Sequence, residues 1–311
     1  MTQGAGPLFG AYCPGLSHFP RFLGAFATLL ALGCASEPTD PGGDAGSASG
    51  GNAGGGGKGS GAAPARCPEG PSPGTTTEAV VVEQVSAALV DEQGESVSPG
   101  LAQVCGKDVC YDVLVERDGL LDKIVNAPMD APAVKVGDGR AWGKLAFPIG
   151  EGSTDLGTVT VTALPDFADG AALSAGESVS SGGVTLQLAD DAHVEIDTLS
   201  YEEESEWGFR AAALSAASLA ELDQGFSMAF ALAPLETVIC PAPALSIENS
   251  AELAPGTELE LFVLGLDVLE EWAGYAGWEK VGEGQVSDDG ATLEFPEGVP
   301  VLTAIGIREK S

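Results

Sequence analysis

After Pro73 the chain is a succession of short β-branched and apolar runs, each ended by a glycine, proline or aspartate turn. Val80–Val90 (VVVEQVSAALV) is followed by Tyr111–Glu116, Trp142–Phe147, Thr158–Leu164, Val179–Leu188, Val194–Leu199, Phe226–Leu232, Glu258–Leu264 and Val299–Ile307. Asp118-Gly119, Gly182-Gly183, Pro255-Gly256 and Asp289-Gly290 stand between them as turn signals. Short strands at close spacing with such turns predict β-sandwiches. The Ala/Leu-rich segment Arg210–Leu222 is the one place where the sequence reads as helix. The expected fold is therefore all-β, with two antiparallel sandwich domains.

Ahead of these runs lies a segment that cannot join them. From Pro41 to Ala62, eleven of 22 residues are glycine, and almost nothing apolar exceeds alanine in size. Such a stretch buries too little surface to offset its ordering entropy, so a disordered tether is expected. A Gly-rich coil of some 40 residues has an r.m.s. span of roughly 35 Å. The expected boundaries are residues 1–33 as a signal peptide, 34–74 as linker, 75–165 as a first sandwich and 166–311 as a second.

The signal reading rests on Phe22–Gly33, a run of twelve residues interrupted in its apolar character only by Thr28 and preceded by Arg21. A spanning helix needs about 20, so this run fits a secretory h-region instead. Ala31-Leu32-Gly33-Cys34 resembles the lipobox of bacterial lipoproteins, although Ala31 and Leu32 depart from its commonest residues. The resemblance implies acylation of Cys34 after cleavage, and hence a membrane-held, exported protein. Ala35, directly after Cys34, is not the aspartate that marks inner-membrane retention in that class, which implies the outer membrane, facing the periplasm or the surface.

Without residues 1–33 the chain sets 12 Lys+Arg against 46 Asp+Glu, a formal charge of −34. No nucleic-acid partner is expected, because phosphate binding needs a basic face. The charge suits cations, basic proteins or neutral glycans. Apart from Cys13 and Cys34, four cysteines remain: Cys67, Cys105, Cys110 and Cys240. An exported chain favours disulfides. The intervening GKDV would turn Cys105 back on Cys110, which leaves Cys67 for Cys240. Four cysteines allow three pairings, and a zinc site of four converging thiolates is the alternative.

Two family resemblances follow. Val85–Gly94, Pro99–Gly106 and Asp118-Gly119 resemble a carboxypeptidase-regulatory-like domain, which implies a small prealbumin-like sandwich serving as a non-catalytic spacer or binding module. Further on, Gly182–Leu186, Ala192–Val194 and Pro241–Ile247 are similar to a ZU5-like β-domain. Some proteins of that family cleave themselves at His-Phe-Ser. Gly225-Phe226-Ser227 lacks the histidine, so self-cleavage is not expected.

Little in the chain points to catalysis. His193 is the one histidine after residue 33, which rules out a HExxH zinc site. Gly225–Ala229 misses the G-x-S-x-G elbow, and no histidine follows Ser227 as that fold requires. Carboxylates are so numerous that a suitably spaced pair carries no information. No catalytic residue, metal or cofactor is expected. Tyr201–Trp207 packs four acids into a run without calcium-loop spacing, and reads as a solvated loop.

The candidate ligand-binding residues are Trp272, Tyr275 and Trp278, three aromatics three apart among glycines. Exposed, they would grip a sugar or a protein partner. Buried, they would plug the edge of a core. The expected function is a lipid-anchored, non-catalytic envelope module binding a periplasmic or extracellular protein or glycan. A passive structural component and a hydrolase with a cryptic site are the alternatives.

Overall fold

The computed structural model describes residues 67, 70, 78–97, 101–115, 117–267 and 269–311. All of them fall in one unit, Gly61–Ser311. The signal segment, Cys34 and nearly all of the glycine-rich linker lie outside the described residues.

The first half carries seven strands: β1 (Val80–Val90), β2 (Leu101–Cys105), β3 (Cys110–Leu114), β4 (Leu120–Met129), β5 (Ala133–Val136), β6 (Leu145–Pro148) and β7 (Gly152–Thr160). They form two sheets, ordered β4-β1-β7 and β3-β2-β5-β6. Strand β1 is central, antiparallel to β4 and parallel to β7. A parallel pair requires a long crossover, and here the whole second sheet supplies it. Alternation along β1 turns Val85, Ala87 and Leu89 inward, and a register shift between Val82 and Gln84 keeps Val82 buried as well. Val104, Val134 and Val136 of the facing sheet complete this core.

The second half adds β8 (Ser178–Ser181), β9 (Val184–Gln187), β10 (His193–Glu195), β11 (Arg210–Ala213), the helix α1 (Ala216–Leu222), β12 (Met228–Ala233), β13 (Thr237–Cys240), β14 (Ala244–Glu248), β15 (Glu258–Leu264), β16 (Trp278–Val286), β17 (Thr292–Phe295), β18 (Val301–Leu302) and β19 (Ala304–Glu309). Nine of these strands make one sheet, ordered β11-β12-β19-β15-β16-β17-β14-β9-β8. It curls until its two ends meet, the Ala211 N–H donating to Ser181 Oγ at 3.0 Å. Its opposed walls enclose a second core around Phe230, Leu245, Leu261, Phe295 and Ile305. Strands β10, β13 and β18 form a separate small sheet.

The all-β expectation holds, with nineteen strands and one α-helix among the described residues. The helix expected over Arg210–Leu222 is shorter than its composition suggests. Ser215 caps it by accepting from the Ser218 N–H, so helix begins only at Ala216. The preceding alanines form β11 because β12 lies alongside to pair with them.

One feature of β12 ties the halves together. All six residues of Met228–Ala233 (MAFALA) are buried. Met228, Phe230 and Leu232 face the curled sheet's own core, whereas Ala229, Ala231 and Ala233 belong to the core of the first half. Small residues are needed on that outer side because Gly143 presses on it: a Cβ built there would lie 2.4 Å from the Ala231 Cβ. Polar contacts reinforce the seam. Glu221 of α1 accepts from the Thr160 N–H and hydroxyl, both at 2.8 Å. The Lys135 ammonium donates to the Leu266 carbonyl at 2.8 Å.

Candidate functional site

The three aromatics of the 272–278 loop do not form an exposed platform. Tyr275 is 7% exposed and lies in the first-half core, with the Lys135 ammonium 4.6 Å from its ring centroid. Trp278 opens β16 and packs edge-on against Phe226, centroids 4.8 Å apart. Trp272 is half-buried against the second core and faces Gly70, where a Cβ would meet the indole at 2.6 Å. Trp272 thus sits against Gly70, while Tyr275 and Trp278 pack along the seam between the halves. Their spacing in sequence is that of a tight loop, held by the Gly265–Gly277 and Ala276–Gly265 backbone hydrogen bonds.

The cysteines meet in two pairs, Cys67 with Cys240 and Cys105 with Cys110. The second pair closes the β2–β3 hairpin at directly opposed positions. The first staples the entry of the folded unit to the end of β13, where the Cys67 N–H also donates to Glu195 Oε1 at 3.1 Å. His193 sits on β10 with its Nε2 3.2 Å from Glu195. Ser227 leads into β12, a strand of the other sheet.

The acidic run Tyr201–Trp207 is solvated along Glu202, Glu203, Glu204 and Ser205, as expected, and is anchored at its two ends. Tyr201 is 1% exposed; its hydroxyl donates to the Gly139 carbonyl at 2.8 Å and accepts from the Leu235 N–H at 2.7 Å. Burial pushes that phenol up to about 12. Glu206 pairs with Arg140. Nearby, the buried Arg210 donates to the Arg140 and Pro165 carbonyls and stacks 4.0 Å over Phe167. This cluster holds the seam.

A cleft of about 620 Å³ does open on the outer face of the curled sheet. Strands β9, β14, β17, β16 and β15 are neighbours there. Their register aligns Thr185 with Ser246, Ser246 with Glu294, Glu294 with Gln285 and Gln285 with Glu258. Outward side chains of successive strands therefore form one polar row across five strands, and all five residues line the cleft. Ser178, Gln187 and Glu283 line it beside the row, while Ala244 and Pro296 add apolar surface. Ladder pairing of β16 with β17 covers only two residues on each strand, and just beyond it Gly284 packs against Phe295, where a Cβ would meet the ring at 2.4 Å.

Charge along the far wall is largely self-compensated. Lys280 bridges Glu260 and Glu283 at 3.1 and 2.6 Å, Arg308 holds Glu260 at 2.9 Å, and Lys310 holds Glu283 at 2.9 Å. Hydrogen bonds from Lys280 and Lys310 hold the Glu283 carboxyl down to about 2. Glu294 lies outside this network, in the middle of the row. Among the described residues no cluster of three or more His, Cys, Asp and Glu side chains is arranged to hold a metal ion. The sequence offered no signal for the cleft, because its residues come from six strands and are individually ordinary outward-facing polar positions.

No protein-family model and no curated protein matches the chain. Among solved structures it is similar to a candidate carbohydrate binding protein from Bacteroides uniformis, at 10% identity over 74% of this chain and 80% of that one, with a TM-score of 0.21. A DUF3823 family protein from Bacteroides ovatus aligns at 7% identity over 70% and 97% of the two chains, TM-score 0.19. The Bacillus anthracis TIE protein aligns at 9% over 74% and 49%, TM-score 0.22. Likenesses at this level carry nothing into the functional reading.

Proposed function

We propose that this protein is a non-catalytic binding module, exported, acylated at Cys34 and held at the outer membrane by a glycine-rich tether. The observation that carries the binding function is the open cleft across five strands, with a row of two hydroxyl, two carboxylate and one amide side chains on its outer face. Its walls belong to a sheet locked against the first half, so they are set before any ligand arrives, and pre-organisation lowers the entropy cost of binding. The tether gives the module reach without fixing its orientation. The charge of the chain disfavours anionic partners.

A passive structural role is the second reading, and the inward packing of Tyr275 and Trp278 favours it. Backbone NMR of the full-length protein in detergent separates the two. Titration with soluble envelope-derived glycans and peptides should shift resonances of β14–β17 if the cleft binds. Unmoved spectra throughout the series would leave the structural role. Intact-mass analysis of protein from its native membrane tests the anchor: a chain starting at Cys34 plus acyl groups is expected, and an unmodified mass would remove it.

A further inference from the structure

Resting on that reading, we infer that the cleft takes an uncharged, hydroxyl-rich oligosaccharide lying across the strands. Three properties of the site point to this chemistry. The first is spacing. Thr185, Ser246, Glu294, Gln285 and Glu258 sit on adjacent strands in direct register. Neighbouring strands lie about 4.8 Å apart, so the row spans roughly 19 Å with a polar group at every step. Each step is close to the length of one pyranose ring, and a linear sugar chain laid across the strands would present hydroxyls at each one.

The second is the kind of polar group. Hydroxyls and primary amides both donate and accept, which is what a sugar hydroxyl requires of its surroundings. Thr185, Gln187, Ser246 and Gln285 supply both capacities, and Glu294 and Glu258 add strong acceptors. Hydrogen bonds to charged groups are the stronger ones, so Glu294, central in the row and outside the lysine network, should anchor the chain. Pro296 and Ala244 offer apolar surface for the C–H faces of a ring.

The third is charge. Glu260 and Glu283 are already engaged by Lys280, Arg308 and Lys310. An anionic glycan would meet Glu294 and Glu258 in a chain of large negative charge. A polycationic peptide would have to displace Lys310, which already pairs with Glu283 at 2.9 Å and Glu258 at 3.7 Å along the same cleft. An uncharged chain avoids both conflicts.

Calorimetry on the full-length protein in detergent tests this with five probes: maltohexaose, cellohexaose, chitohexaose, a sulfated hexasaccharide and hexalysine. At least one uncharged hexasaccharide should bind, with hexalysine and the sulfated probe silent. Gln285→Ala and Glu294→Gln should each weaken that binding about tenfold, a loss of ~1.4 kcal/mol. Ser246→Trp should abolish it by filling the groove, and the two milder variants keep the test informative if the tryptophan disturbs folding. Binding of hexalysine alone, lost in Glu294→Gln, would overturn the ligand class while leaving the binding module intact. Sugar binding indifferent to all three substitutions would overturn the site. Silence from all five probes, with unmoved NMR spectra, would overturn both the ligand and the module.

Discussion

Gly70 lies flat against the indole of Trp272, so close that a single added methyl would sit 2.6 Å from the ring carbons. The contact is made just three residues after Cys67, which is itself bonded to Cys240. The chain therefore enters the folded unit by docking twice on the second half before it begins β1 of the first. Trp272 accepts a left-handed backbone, with φ of +70°, to present its ring there. For a bulky residue that conformation costs on the order of 1–2 kcal/mol, a sign that the loop is built around the docking.

Gly70→Val should accordingly destabilise the protein by roughly 1–3 kcal/mol, the usual cost of overpacking a filled contact. Chemical unfolding followed by tryptophan fluorescence would read it. A variant as stable as the parent would mean that the strap does not hold the ring.

The two disulfides should differ in what they contribute. Cys67–Cys240 closes a sequence separation of 173, whereas Cys105–Cys110 closes one of 5. On the chain-entropy model these correspond to about 5 and about 2 kcal/mol. Urea titrations of Cys67→Ser/Cys240→Ser and Cys105→Ser/Cys110→Ser should therefore show the larger loss for the first pair. Equal losses would place the effect in the folded state.

Lys135 gives the stability a pH signature. It is 8% exposed, and burial, followed by the charge of Lys144, lowers its ammonium to about 8 from 10.5. Between those values the unfolded chain binds the proton and the folded chain releases it, so stability from this group rises as pH rises from about 8 to about 10.5. Below pH 8 the cost of burying the charge is fully present, about 3 kcal/mol at 1.36 per unit. Measured against Lys135→Met, which lacks the titration, the parent should gain about that much between pH 7.5 and 10.5. Parallel stability curves for the two proteins would refute this account.

Ala231 tests the seam between the halves. Its Cβ is the atom that a side chain at Gly143 would strike, and it is 2% exposed on the outer side of β12. Ala231→Leu should cost roughly 1–3 kcal/mol through overpacking. Phe230→Ala, on the opposite face of the same strand, should cost about 3–5 kcal/mol by leaving a cavity. Thermal unfolding of both would show whether the strand serves two cores.

The strands most legible in the sequence were those whose pattern is local. Val80–Val90 and Glu258–Leu264 are strands over the expected residues, and Gly182-Gly183 turns β8 into β9. Strand β4 escaped the reading because Leu120–Met129 mixes charges with Asn126 and Pro128, and is held by pairing with β1. Strands β14 and β17 are four or five residues long and gain their identity by pairing with one another across 44 to 50 residues of chain. The aromatic spacing of Trp272, Tyr275 and Trp278 was visible, but not the side of the sheet on which the rings would lie.

Alternation, turn residues and glycine content are properties of neighbouring residues, and they were enough to determine an all-β chain following a segment that cannot build a core. Which surfaces are filled and which stay open depends on long-range register and on the packing of one half against the other. That packing drew Tyr275 and Trp278 inward and left Thr185, Ser246, Glu294, Gln285 and Glu258 side by side on the open face. Only the tertiary structure could decide this, because each of those five residues is an ordinary polar position until five strands align them.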